Sequence, residues 1–189
     1  LVEKMRADKS LREILQMVAL MPMAIPGIVL GLAYIFFFNA KDNPLNFIYA
    51  TMAILVINTV VHFYTVSHLS AITAVKKLDQ EFESVSLSLK VPIYKMFFKI
   101  TLPVCLPTVF DIFIYLFCNA MTTVSGVIFL YSYDTTLASV SAIHLDEQGD
   151  VAGAAAMAML IVYISFVVRG LHTLVSTLLL KRTQAWRNI

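Results

Sequence analysis

The side chains of this 189-residue chain that could do chemistry are four histidines, two cysteines and a few polar groups set inside long apolar runs. His62 and His68 are six positions apart, on opposite sides of a helix, and no cysteine or carboxylate is spaced to join them. Neither they nor His144 and His172 form a metal-ligand motif. Ser125-Gly126 is a common dipeptide without a base spaced to activate the serine. On one helix, Cys105 and Cys118 would lie about 20 Å apart, which no disulfide spans. The phosphate-loop pattern G-x-x-x-x-G-K-[ST] is absent, so the chain cannot hydrolyse ATP by that route. There remain polar groups in apolar surroundings. Asp111 belongs to the kind of intramembrane carboxylate that faces a cavity or pairs with a basic group, and Arg169 is the only basic residue within an apolar run.

The elements that must carry these groups follow from composition. Hydrophobic residues make up 59% of the chain and charged residues 14%, with a mean hydropathy of +0.81. Soluble domains run near 45–50% and about 25%, so the chain is expected to sit in a membrane. A net charge of +2 without a clustered basic face excludes a nucleic-acid partner. Four apolar runs reach the roughly 20 residues needed to cross a bilayer: about 14–38, 47–69, 104–131 and 151–180. Alternate sides of these runs carry thirteen basic residues against one, Lys41. The positive-inside rule therefore puts both ends and the loop of about 73–103 in the cytoplasm, and the acidic 132–150 loop outside. The expected fold is all-α, a polytopic transmembrane bundle with a cytoplasmic loop helix. A chain beginning at Leu1 without a signal peptide reads as an N-terminally truncated piece, with at least one span upstream.

Within the runs, polarity falls on stripes. At 100° per residue Thr51, Asn58, His62 and Thr65 share one face of the second run. Asp111, Cys118, Thr122 and Ser125 share a face of the third, with Tyr115 and Asn119 at its edge. Such faces turn from lipid, either to hydrogen-bond other helices or to line a path. Asn58, His62, Asp111, Asn119, Thr122, Thr123 and Ser125 are the candidate path residues. Pro22 and Pro26 should kink the first run, and Gly27 and Gly31, in GxxxG spacing, allow close approach of another backbone.

The loop is the most informative segment. Leu78, Phe82, Val85 and Leu89 form an apolar stripe on an otherwise polar helix that Pro92 ends or bends, and Ile93, Phe97 and Ile100 continue an apolar face. Too short for a core of its own, this unit must dock on something. The prominence of Asp79, Glu81 and Glu83 favours a protein groove over a lipid surface.

These residues carry a resemblance. The loop ending Ile100-x-Leu102-Pro103 resembles the coupling motif of binding-protein-dependent ABC importer permeases, whose pattern is E-A-A, three residues, G, nine residues, I-x-L-P. Anchored at its end, the pattern puts Lys90 at the glycine, Ser84-Val85-Ser86 at E-A-A, and Glu83 one position early. Ala24-Ile25-Pro26-Gly27-Ile28-Val29-Leu30-Gly31 is similar to the family's third helix. Within the family the chain looks like the 2-aminoethylphosphonate branch, through His62 to Val66, Ser88 to Pro92, Asn119 to Ser125 and Arg182 to Trp186.

The resemblance implies an inner-membrane transport subunit, not an enzyme, containing four helices of a six-helix core. It implies a second permease unit, identical, different or fused, an extracytoplasmic binding protein, and an ATPase dimer that holds the ATP and magnesium, leaving this chain no cofactor. It assigns ATPase coupling to Glu83, Ser84, Val85, Ser86, Leu89, Lys90 and Pro92. Ferric iron, a polyamine or sulfate are the alternative cargoes carried by related branches, and a four-helix membrane scaffold is the non-transport alternative.

Overall fold

The computed structural model describes residues 9–79 and 81–183, and among them every regular element is helical. Lys4, Arg6, Arg187 and the segment Gln184-Ala185-Trp186, used in the sequence reading, lie outside the described residues.

The first apolar run is not one straight helix but two, α1 (Lys9–Ala24) and α2 (Gly27–Phe38), bent by 103° where they meet. Proline explains the break. Pro26 removes a backbone donor, biases Ile25 away from helical geometry, and itself adopts an extended ψ of 139° at the N-cap of α2. The second run starts later and ends later than its hydropathy suggests, as α3 (Met52–His62) and α4 (Tyr64–Lys76), bent by 56° at Phe63. Thr59 and Ser67 flank that break with hydroxyls donating to the carbonyls of Leu55 (2.8 Å) and Phe63 (3.2 Å), a back-bonding that bends helices.

The loop helix α5 (Glu81–Ser88) is shorter than the apolar stripe, because Leu78 precedes it and Leu89 follows it. After Pro92 come α6 (Ile93–Met96), a π-helical turn at Phe97–Thr101 and α7 (Leu102–Val104). A 68° bend at Cys105 then leads to α8 (Leu106–Thr122). Pro103 and Pro107, four residues apart, deprive this region of two donors, and a widened turn ahead of such a break is a usual accommodation.

The third run was expected to remain helical to Tyr131, but α8 stops at Thr122 and residues 123–131 are irregular, with consecutive turns at 125–130. Their tertiary packing overrides an apolar pattern that a helix would have suited equally. Val127 and Leu130 from these turns join Ile54 and Leu55 of α3 and Val140 of α9 (Ala138–Glu147) in the main buried cluster, under Tyr34, Phe38, Tyr49 and Tyr131. The 132–150 segment is thus largely the helix α9, tied down by Tyr131 Oη within 3.1 Å of His144 Nε2.

Last comes α10 (Val151–Thr183), capped at its start by Asp150, whose Oδ1 accepts the Gly153 N–H at 2.9 Å. Its stretch Val151–Thr177 is long and apolar enough to cross a membrane alone. The bent pairs α1–α2, α3–α4 and α6/α7–α8 pass the same test when each is taken together, for up to four crossings. Large apolar side chains stand widely exposed, among them Met23, Phe36, Phe113 and Phe166, as lipid or protein neighbours require.

Candidate functional site

The polar residues singled out in the sequence fall into separate places. Asn58, His62 and Ser125 meet at a close crossing of α2, α3 and the 123–131 turns. Asn58, fully buried, donates through Nδ2 to the Gly126 carbonyl at 3.0 Å. Gly27 and Gly31 are buried against the same segment. A Cβ on Gly31 would lie 2.7 Å from the Gly126 carbonyl oxygen, and one on Gly27 would lie 2.6 Å from Ser125 Oγ. The GxxxG spacing therefore serves close backbone approach here. Two buried atoms at this crossing, Asn58 Oδ1 and His62 Nδ1, have no hydrogen-bond partner. Thr65, on the same stripe, bonds instead to the Ala19 carbonyl at 2.9 Å and pins α4 to α1, while Thr51 precedes α3.

The helical wheel that grouped Ser125 with Asp111, Cys118 and Thr122 fails, because Ser125 lies beyond the end of α8. Thr123 ends that helix in extended geometry, and its carbonyl accepts the Ser139 hydroxyl at 2.8 Å. Asn119 and Thr122 face a groove of about 360 Å³ between α8 and α10, lined also by Cys118, Ile161, Ser165, Phe166 and Arg169. Asn119 Nδ2 donates to the Tyr115 carbonyl at 2.7 Å and Thr122 Oγ to that of Cys118 at 3.1 Å. Ser165 Oγ is buried without a partner. Asp111 stands apart from all of these. Its Oδ1 is 3.0 Å from His172 Nε2 of α10, within ion-pair range but without hydrogen-bond alignment, and its side chain is 58% exposed.

Ser165 and His172 were missed in the sequence. Ser165 precedes Arg169, the arginine within the apolar run, by one helical turn, and that spacing was the available signal. His172 could not be paired with Asp111 without knowing how α8 and α10 align.

The candidate coupling residues form a second unit, away from the main buried cluster. Phe82, Val85 and Leu89 of the α5 region face Met96, Lys99 and Ile100 across an open hollow of about 550 Å³. Val85 and Leu89 are 56% and 70% exposed, so this apolar edge is only partly covered by the chain itself. Ser84 is exposed, Ser86 buried, and Pro92 caps α6; the Glu83 side chain lies outside the described residues. Lys90 adopts φ +52°, in the left-handed region that favours glycine. The Val91 N–H donates to the Ser86 carbonyl at 2.9 Å, the six-to-one bond of a Schellman cap, with Pro92 just beyond. Lys90 thus occupies, in sequence and in conformation, the place where the coupling pattern has glycine.

The family profile described as "Binding-protein-dependent transport system inner membrane component" matches residues 1–181. The ferric transport system permease protein FbpB of Actinobacillus pleuropneumoniae is 30% identical over 163 residues, covering 86% of this chain and 23% of that protein. The chain therefore spans about a quarter of that relative's length. A bacterial ABC transporter involved in the import of the acidic polysaccharide alginate has the same fold, with a TM-score of 0.73 at 14% identity over 93% of this chain and 68% of the other.

Proposed function

This chain belongs to the binding-protein-dependent transport system inner membrane components, and on that premise we propose that it is part of the permease of an ATP-driven importer. The observation that carries this reading is the α5 unit: a short helix with an exposed apolar edge, closed by a glycine-like turn at Lys90 and followed, after Val91 and Pro92, by α6. On the family reading, a helix of that kind suits a groove in a separate ATPase subunit. The rocking of that subunit on binding and hydrolysing ATP would reach the membrane helices through α6 and α7. A second permease unit completes the path, a binding protein delivers solute from outside, and α5 lies on the cytoplasmic side with both described ends of the chain.

For the cargo we propose 2-aminoethylphosphonate, supported by the stretches of sequence similar to that branch. Ferric ion is the second reading, favoured by the likeness to the Actinobacillus permease. Uptake by a deletion strain carrying the full-length gene separates them. Restored uptake of labelled 2-aminoethylphosphonate, with ferric uptake unchanged, supports the first; the reverse result replaces it with the second.

A further inference from the structure

We propose that the groove between α8 and α10 binds a tetrahedral oxyanion, with Arg169 as its countercharge and Ser165 as its hydroxyl donor. The inference rests on the importer reading above, because it names the chemical class of solute that the path would accept.

Position comes first. Ser165 is the fifteenth residue of the 27-residue stretch Val151–Thr177, and Arg169 follows it by one turn, eight residues before the end. A guanidinium inside a span is costly unless it meets water, a counterion or a partner. Among the described residues no carboxylate lies within ion-pair distance of Arg169: Asp111, the carboxylate within α8, lies 3.0 Å from His172 Nε2 instead. Side chains on a helix tilt towards its N-terminus, so Arg169 leans back along α10 towards Ser165, and it lines the same groove as Asn119 and Thr122.

The polar inventory matches an acceptor-rich ligand. The Ser165 hydroxyl is buried with no partner, a state that normally costs a hydrogen bond's worth of desolvation. Arg169 offers a planar fork of donors suited to phosphate-like oxygens. Asn119 and Thr122 already spend donors on their own helix, which leaves the Asn119 Nδ2 its second hydrogen for a ligand. A volume of about 360 Å³ holds a small organic anion with its water. A bare cation would meet the positive charge of Arg169.

The oxyanion could belong to a solute or to a lipid headgroup, and one experiment distinguishes these. In the full-length permease with its ATPase subunits in phosphatidylcholine nanodiscs, Ser165→Cys is made on a background in which Cys105 and Cys118 are alanine. Its reaction with the anionic sulfonatoethyl methanethiosulfonate is compared with that of the cationic trimethylammonium reagent. The anionic reagent should react about 10-fold faster, with the preference lost in Arg169→Gln and kept in Arg169→Lys. Slowing by millimolar 2-aminoethylphosphonate identifies a solute site. Slowing only when phosphatidylglycerol is added identifies a lipid site of the same chemistry. Equal rates, no reaction with either reagent, or a preference that survives Arg169→Gln overturns the proposal. Uptake by the wild-type complex is measured alongside: a charge preference without phosphonate uptake keeps the groove and removes the cargo, whereas uptake without the preference does the opposite.

Discussion

The side-chain amide of Asn58 is bonded to the backbone of Gly126, 68 residues away, at 3.0 Å. This single bond ties α3 to the turns that interrupt the third apolar run, and it does so where three glycines bring backbones close together. Removing it with Asn58→Ala leaves a buried carbonyl unpaired. The expected cost is about 1–3 kcal/mol, read as a lowered thermal midpoint of the purified full-length protein in nanodiscs. An unchanged midpoint would mean that water replaces the amide.

Glycine substitutions should divide by what a methyl group meets. Gly31→Ala drives its Cβ towards a backbone oxygen that cannot rotate away, so an overpacking loss of about 1–3 kcal/mol outweighs a gain in helix propensity of at most about 1 kcal/mol. Gly170 has nothing within 4 Å of the added Cβ, and Gly170→Ala should keep the propensity gain. Thermal midpoints moving in opposite directions are expected; a shared direction refutes the packing argument.

Lys90→Gly should stabilise the α5 turn by about 1 kcal/mol, the usual excess of a left-handed residue with a Cβ. Lys90→Val should destabilise it by more, since branching at Cβ worsens the same clash. Amide exchange at Leu89 and Val91, whose N–H groups close the turn, reports the effect. Faster exchange in the glycine variant would contradict the assignment.

Coupling can be tested apart from insertion. Val85→Asp, Leu89→Asp or Glu83→Lys should reduce solute uptake at least about 10-fold and weaken co-purification of the ATPase subunit, a loss of about 1.4 kcal/mol or more in the contact. Membrane levels of the permease should be unchanged. Normal uptake with normal ATPase recovery would remove α5 from the coupling role.

Class and loop were legible in the sequence because both depend on local information. Hydropathy marks apolar length, and the spacing of Lys90, Pro92 and Pro103 marks turns whatever packs around them. The stripe of Asn58, His62 and Thr65 was legible only in part: Asn58 and His62 share α3, whereas Thr65 lies on α4, past the 56° bend at Phe63, and bonds to α1. Ser125 was misplaced because its neighbours lie on α2, and a helical wheel contains no information about other helices. The groove escaped notice because Ser165 and Asn119 are 46 positions apart. The bend at Pro26 was legible in kind but not in size: proline says that a helix breaks, while the 103° follows from packing around Gly27, Gly31 and Gly126.

The length of Val151–Thr177 carries a further consequence. At about 1.5 Å per residue its 27 residues measure about 40 Å, against a hydrocarbon thickness of about 30 Å. The helix is mismatched to an average bilayer and must tilt or overhang. Upright, with all the overhang beyond Thr177, it would set the Arg169 backbone about 3 Å from the near hydrocarbon boundary; with all of it beyond Val151, about 12 Å deep. Bilayer thickness therefore sets the depth of Arg169, and makes lipid chain length a physical variable of the groove it lines.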